Sequence, residues 1–286
     1  MTAAATPPSP LRRAGRTATR RRRRRLQLLV AGALAVALGG ALGLKLLLTP
    51  SPSEPLGCTT VGTTYALDFE QASNATTITA VGKRLGLPDH AVTIALATAL
   101  QESRLHNLPY GDRDSRGVFQ QRPSQGWGTE AQVMTPRYAA AAFFQHLVVV
   151  PGWPTLPVTV AAQRVQRSGS PNAYAQWEAV ARALARATTG EVAAGFSCRV
   201  PDPPKSTATA TLAQTMTLEL GDASIGVPVT VPQGWTVSSW LVGHANQFGI
   251  TSVAFGGEQW TSAGGAWQAD TSPTAGVRIT RARSAH

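Results

Sequence analysis

The longest apolar run lies near the start of the chain. Seventeen uncharged, mostly apolar residues extend from Leu28 to Leu44, and Leu46 to Leu48 carry the run past a single lysine, Lys45. A stretch of this length spans a bilayer, and a lysine near its end reaches the interface through its methylene stem. Downstream the pattern becomes helical. Asp68 to Leu85 is one helix-length stretch stopped by Gly86, and Pro88 at a first-turn position starts a second helix that runs to about Ser103. The second helix carries Val92, Ile94, Ala95, Leu96, Ala99 and Leu100 and is apolar on nearly every side, which predicts a core helix. Thr135-Pro136 opens a third helix through Phe143, Phe144 and Leu147, and Pro157 to Arg167 gives a fourth. Ser170-Pro171 opens a fifth, ended by Gly190.

Between the second and third helices, Leu105 to Gly128 is rich in Gly, Asp and Pro and has almost no hydrophobic periodicity. Long polar loops inside a domain tend to carry function. After Gly190 the pattern is mixed. Thr215 to Leu220 and Gly226 to Val231 read as strands, Gly234 to Phe248 as a helix stopped by Gly249, and Ile250 to Phe255 as a strand with a turn at Gly256-Gly257. Trp260 and Trp267 flank a Gly-rich hairpin, where they could pack the module or meet a carbohydrate.

Punctuation then divides the chain: a cytoplasmic Arg-rich tail (1–25), a transmembrane anchor (26–48), a Pro/Ser-rich stalk (49–57), a main helical domain (58–198), a linker (199–211), a small α/β module (212–270) and a disordered polar tail (271–286). The expected fold class is mainly α, with one N-terminal transmembrane helix and a small α/β C-terminal module.

Charge changes the picture less than its size suggests. The formal net charge is +11, but of 26 basic residues nine, Arg12, Arg13, Arg16 and Arg20 to Arg25, precede the apolar run, leaving 17 against 15 acidic ones. A body so close to neutral argues against a nucleic-acid binder, which carries its basic residues on a folded face. Six consecutive arginines before an apolar run keep the N-terminus cytoplasmic and place residues 50 onward outside, at the cell membrane as a single-pass protein. A cleaved signal peptide is the competing reading, and it would need a shorter apolar core and a small-residue cleavage site.

The two cysteines, Cys58 and Cys198, bracket the main domain, each beside a Pro-rich stretch. In an oxidising compartment the natural reading is one bridge, worth roughly 4–5 kcal/mol in the loop-entropy account, with two unpaired structural cysteines as the alternative. With those thiols paired and the histidines widely separated, no metal constellation and no cofactor motif emerge.

Glu102 is the candidate catalytic residue. It ends an otherwise apolar helix beside the polar loop, where burial and the negative end of the helix dipole both disfavour its ionised form. A carboxylic acid still protonated near neutral pH suits cleavage of a glycosidic bond, whose leaving oxygen takes up a proton. A solvated Glu at a helix end is the alternative. The loop supplies two more carboxylates, Asp112 and Asp114, either of which could position water as a second base or form a salt-bridged turn with Arg113.

The surrounding residues carry a resemblance. Ala99-Leu100-Gln101-Glu102-Ser103, then Tyr110-Gly111-Asp112-Arg113-Asp114-Ser115, Gly117-Val118-Phe119-Gln120-Gln121 and Gly126-Trp127-Gly128, with Tyr138 in the third helix, resemble the lytic transglycosylase and goose-type lysozyme branch of the lysozyme superfamily. The likeness covers about residues 58–198 and is nearest to a group of actinobacterial exported lysozyme-like proteins. Where that family carries Ala-Tyr-Asn-Ala-Gly, this chain has Ala161-Ala162-Gln163-Arg164-Val165-Gln166-Arg167-Ser168.

The resemblance implies a lysozyme-like domain that cleaves the β-1,4 MurNAc–GlcNAc bond of peptidoglycan. Glu102 would act as general acid and then base, Ser103 would orient the cleft and Gln120 would bind substrate. Ser103 could equally cap its helix and Gln120 brace its loop. Tyr110, Trp127 and Tyr138 could stack on sugar rings or pack into the body. Two reactions stay open, a lytic transglycosylase route and a hydrolytic muramidase using Asp112 or Asp114. A non-catalytic wall-binding or morphogenetic scaffold of the same shape is the reading from outside enzymology.

Overall fold

The computed structural model describes residues 55–170, 172–200, 209–221 and 225–282. The expected tail, anchor and most of the stalk lie outside these residues, as does most of the expected linker. Among the described residues no helix is long and apolar enough to cross a membrane. The described residues are mainly helical, about 48% helix in nine helices, with a small sheet at the C-terminal end.

Strand β1 (Gly57–Thr60) leads to helix α1 (Phe69–Arg84) and helix α2 (Asp89–Ser103). Asp68 caps α1: its side chain accepts from Gln71 N (2.8 Å), and Gln71 Oε1 accepts from Asp68 N (2.9 Å), a reciprocal box that fixes the helix start. Pro88 precedes the first turn of α2, as its fixed φ favours. Both helices are buried on all sides through their middles, Gln71 to Gly82 with one exception and Ala91 to Leu100 without one. They form the centre around which the others pack.

Around them stand α3 (Glu130–Val133), α4 (Pro136–Val148), α5 (Val158–Gln166) and α6 (Glu178–Thr188). Helix α2 lies against α5 and α6, and α1 against α4. The fifth expected helix starts later than Ser170-Pro171, because the chain first makes a 3₁₀ turn at Ala175–Trp177. Strand β2 (Phe196–Arg199) returns antiparallel to β1 with Cys58 opposite Cys198, and the two are joined by a disulfide.

The C-terminal part departs most from expectation. Thr215 to Leu220 is not a strand: it belongs to helix α7 (Thr209–Leu220). Leu212, Met216 and Glu219, spaced for one helical face, are buried. Gly226 to Val231 is likewise turn and helix start rather than strand, because Thr230 and Gln233 form a capping box that opens α8 (Val231–Gly243). After α9 (Ala245–Phe248) come β3 (Ile250–Phe255), β4 (Glu258–Thr261), β5 (Trp267–Ala269) and β6 (Arg278–Arg281) in the order β5-β4-β3-β6. The expected hairpin is there, with Trp260 opposite Trp267. The expected disordered tail is corrected in part, since β6 pairs antiparallel with β3.

The described residues, from Pro55 onward, form one compact unit. Its C-terminal helices and sheet share the core of the helical body: α8 packs on α1, Trp260 Nε1 donates to Cys198 O (2.9 Å) and Trp267 Nε1 donates to Phe196 O (2.8 Å). The four-stranded sheet therefore sits against the disulfide-joined pair of strands.

Candidate functional site

Helix α2 delivers Glu102 one residue before its last, and the chain turns sharply there. Arg104 caps the helix in the left-handed region (φ 56°) and Leu105 follows at φ 66°. The turn is held from outside the helix. The Arg104 guanidinium lies 4.0 Å from the Trp177 ring centroid, and Gln101 Oε1 accepts from Trp177 Nε1 and Gln176 Nε2, both at 3.0 Å. These contacts dock the Tyr174–Trp177 segment on the end of α2.

That docking brings Tyr174 to Glu102. Tyr174 is fully buried, and its hydroxyl donates to Glu102 Oε1 at 2.7 Å. Gln166 at the end of α5 is a second hydrogen-bonding neighbour of the carboxyl, and its amide also donates to Phe119 O at 2.8 Å. Desolvation raises the Glu102 pKa, and the hydrogen bonds from Tyr174 and Gln166 oppose the rise without cancelling it. Burial and the neighbouring Glu102 charge push the Tyr174 phenol well above its ordinary value, so the tyrosine stays protonated and acts as a fixed donor.

Glu102 opens into a polar cleft of about 340 Å³. Its walls come from the Asp112–Trp127 loop on one side and from Gln166 to Gly169 on the other. Ser103 does not face the cleft. It is buried, and its hydroxyl donates to Val118 O (2.7 Å) and Ala99 O (3.2 Å), so it ties the Gly117-Val118-Phe119-Gln120 loop to the helix that carries Glu102.

Gln120 lines the cleft from a left-handed backbone (φ 48°), and its amide donates to Gly117 O (3.1 Å) and Tyr110 O (3.3 Å). A Cβ on Gly111 would collide with the Gln120 side-chain oxygen, so that glycine is what lets the loop close. Gln120 thus braces the loop while lining the cleft. Trp127 also lines it, with its ring against that of His146, 4.1 Å between centroids and tilted by 31°.

The two aspartates separate. Asp114 accepts from Arg122 Nε (2.9 Å), Ser124 N (2.7 Å) and Ser124 Oγ (3.0 Å), and these donors hold its pKa far below the usual carboxylate range. Asp112 lines the cleft with Glu102. The two tyrosines are elsewhere: Tyr110 is 65% exposed and meets the site only through its carbonyl, and the Tyr138 hydroxyl packs over Gly128, where a Cβ would stand 2.7 Å from it.

Three residues of the site escaped the sequence. Tyr174 and Gln166 contact the Glu102 carboxyl from 72 and 64 positions away, although the Asn172-Ala173-Tyr174 run just past α5 stood close to where the resemblance led one to look for a tyrosine. Gln121 is 2% exposed and lines the cleft; its amide nitrogen donates to Ala139 O (3.0 Å) and its oxygen has no partner among the described residues. A buried acceptor without a donor is costly.

Among the described residues no group of three or more His, Cys, Asp or Glu side chains could hold a metal ion. No protein-family model matches the chain, and no curated protein matches it. Glu102 offers a carboxyl whose pKa is raised by desolvation, held by one buried phenol and open to a polar cleft, a group that can give a proton and take one back.

Proposed function

We propose that this chain cleaves the β-1,4 MurNAc–GlcNAc bond of peptidoglycan, with Glu102 as general acid and then general base, and that the helical body is lysozyme-like. The observation that carries the reading is the half-buried Glu102 carboxyl, its pKa raised by desolvation, held by Tyr174 at the edge of a cleft that Trp127 also lines. The bridging oxygen receives the Glu102 proton as the C1–O bond breaks. The N-acetyl oxygen of the same sugar stabilises the cationic C1, the Glu102 carboxylate then removes the C6 hydroxyl proton, and O6 closes onto C1 to give a 1,6-anhydro end. No water is consumed, and Glu102 ends as it began.

The preference for this lytic transglycosylase route over hydrolysis rests on Asp114, whose oxygens are committed to Arg122 and Ser124. Asp112, which lines the cleft, is the residue a muramidase would use. The export reading supports the substrate. Residues 26–48 would anchor the protein in the cell membrane with its N-terminus cytoplasmic, and the Cys58–Cys198 bridge suits the oxidising side, where the wall lies.

The test is digestion of purified wall by the full-length chain in ordinary and ¹⁸O-labelled water, read by mass spectrometry. Muropeptides one water lighter than hydrolysed ones, unlabelled, with most activity kept in Asp112→Asn, are expected. Labelled reducing ends together with collapse in Asp112→Asn would transfer the reaction to the muramidase route, and intact wall would remove the enzyme reading.

A further inference from the structure

The cleft continues past Trp127. Gln125, Trp127, Gln166 and Arg167 line it and line also an adjoining basin of about 600 Å³, so the two are parts of one groove. Their chemistry differs. The Glu102 side mixes signs, with Glu102 and Asp112 beside Arg122 and Arg167, and Arg122 is already paired with Asp114. The second basin is lined by His146, Arg164 and Arg167 and by no carboxylate.

Val149, Val150, Pro151 and Val165 give it an apolar stretch of wall. Val149, 73% exposed, is followed by Val150 and Pro151 just past the end of α4. Arg164 Nη1 donates to Pro151 O at 3.1 Å, which anchors one end of the guanidinium and leaves its other donors free. The Arg167 guanidinium has no hydrogen-bond or ion-pair partner among the described residues.

Two under-used guanidinium groups beside small exposed apolar side chains describe a ligand that is acidic and partly aliphatic. A neutral sugar offers neither a carboxylate nor a methyl-rich chain. We propose that this second basin holds the peptide substituent of a glycan strand, its distal carboxylate at Arg164 and Arg167 and its alanine-sized side chains along Val149 to Pro151. The glycan itself lies in the Glu102 part of the groove, so the inference rests on the peptidoglycan reading and specifies it: the substrate is peptide-bearing rather than stripped glycan. Arginine suits this role because its planar fork pairs with a carboxylate through two parallel N–H donors.

The test is a binding comparison with the full-length chain in detergent, carrying Glu102→Gln so that nothing is turned over. One probe is a glycan tetrasaccharide bearing its peptides, and the other is the same tetrasaccharide after amidase treatment, which keeps only the carboxylate next to the sugar. The peptide-bearing probe should bind about tenfold more tightly, the worth of one charge-assisted contact. Arg164→Gln should reduce that preference to about threefold or less, and raised salt should erode it in the unsubstituted groove as well.

Equal affinity for the two probes, or a preference that survives both Arg164→Gln and salt, overturns the basin assignment and leaves the Glu102 reading standing. Binding of neither probe overturns both. A clear preference in a chain whose Glu102 form cleaves no wall supports the basin and removes only the enzymatic reading.

Discussion

Glu102 and Glu219 are carboxylates taken out of water, and the molecule treats them in different ways. Glu219 on α7 is 7% exposed and locked: its Oε2 accepts from Trp240 Nε1 (2.7 Å) and Thr77 Oγ1 (2.8 Å), with His244 Nε2 at 4.0 Å. Glu102 keeps one buried phenol and one amide as neighbours and opens to a cleft. Burial alone does not make an acid catalyst. What separates the two is access and an incomplete set of donors, which leaves one carboxyl able to exchange a proton and the other fixed as a joint between α1, α7 and α8. His244 belongs to that joint, and its burial lowers its pKa against the pull of Glu219.

The comparison can be broken first at Glu219. Removing that side chain strands the Trp240 indole N–H and the Thr77 hydroxyl in the core, so Glu219→Ala should lose about 3 kcal/mol of stability by denaturant titration. Wall cleavage should persist at temperatures where the variant is folded. An unchanged denaturation midpoint would mean that the cluster is not the joint described here.

A smaller effect separates positioning from chemistry at Glu102. Tyr174→Phe removes a donor that favours the charged carboxylate, so the Glu102 pKa should rise further. Cleavage should fall about tenfold, and the alkaline edge of the pH profile should move upward. A rate loss with an unmoved profile would make Tyr174 a packing residue only.

The smallest expected change is in stability and runs against function. A carboxyl whose folded pKa lies above its unfolded value contributes fully at pH below about 4.5, and that contribution is lost as pH rises through the folded value. Glu102→Gln has no such loss. It should therefore gain stability over the unsubstituted chain as pH rises toward 8, with the gap closing in acid. Equal thermal midpoints across that range would show that Glu102 is not strained by burial.

How much of this was legible in the sequence follows the range of the forces involved. Helices α1, α2, α4 and α5 were readable because capping and periodicity are local: Asp68, Pro88, Pro136 and Pro157 mark the starts, and the continuous apolar run of α2 signals its place in the core. The same helix end gave Glu102. The Cys58–Cys198 bridge followed from two cysteines bracketing one domain.

Elsewhere locality misled. Thr215 to Leu220 alternates like a strand, yet Leu212, Met216 and Glu219 form a buried helical stripe that only the neighbouring α1 and α8 make worthwhile. Arg278–Arg281 looks like a polar tail because it is an edge strand, where charged side chains are normal. Tyr174, Gln166 and Gln121 reach the site through contacts across the fold, and no local pattern announces them. Ser103 and Tyr138 lie in the stretches that carried the resemblance, but their hydroxyls face Val118 and Gly128 rather than the cleft.

The central claim is that Glu102, and not the cleft alone, breaks the glycan. Its most direct test is release of soluble muropeptides from purified wall by the full-length chain and by Glu102→Gln, side by side, with the variant first shown to be folded by its thermal midpoint. The amide keeps the shape and the Tyr174 hydrogen bond but carries no acidic proton, so release should fall by about a thousandfold or more. Release by Glu102→Gln within a few-fold of the unsubstituted chain would contradict the account.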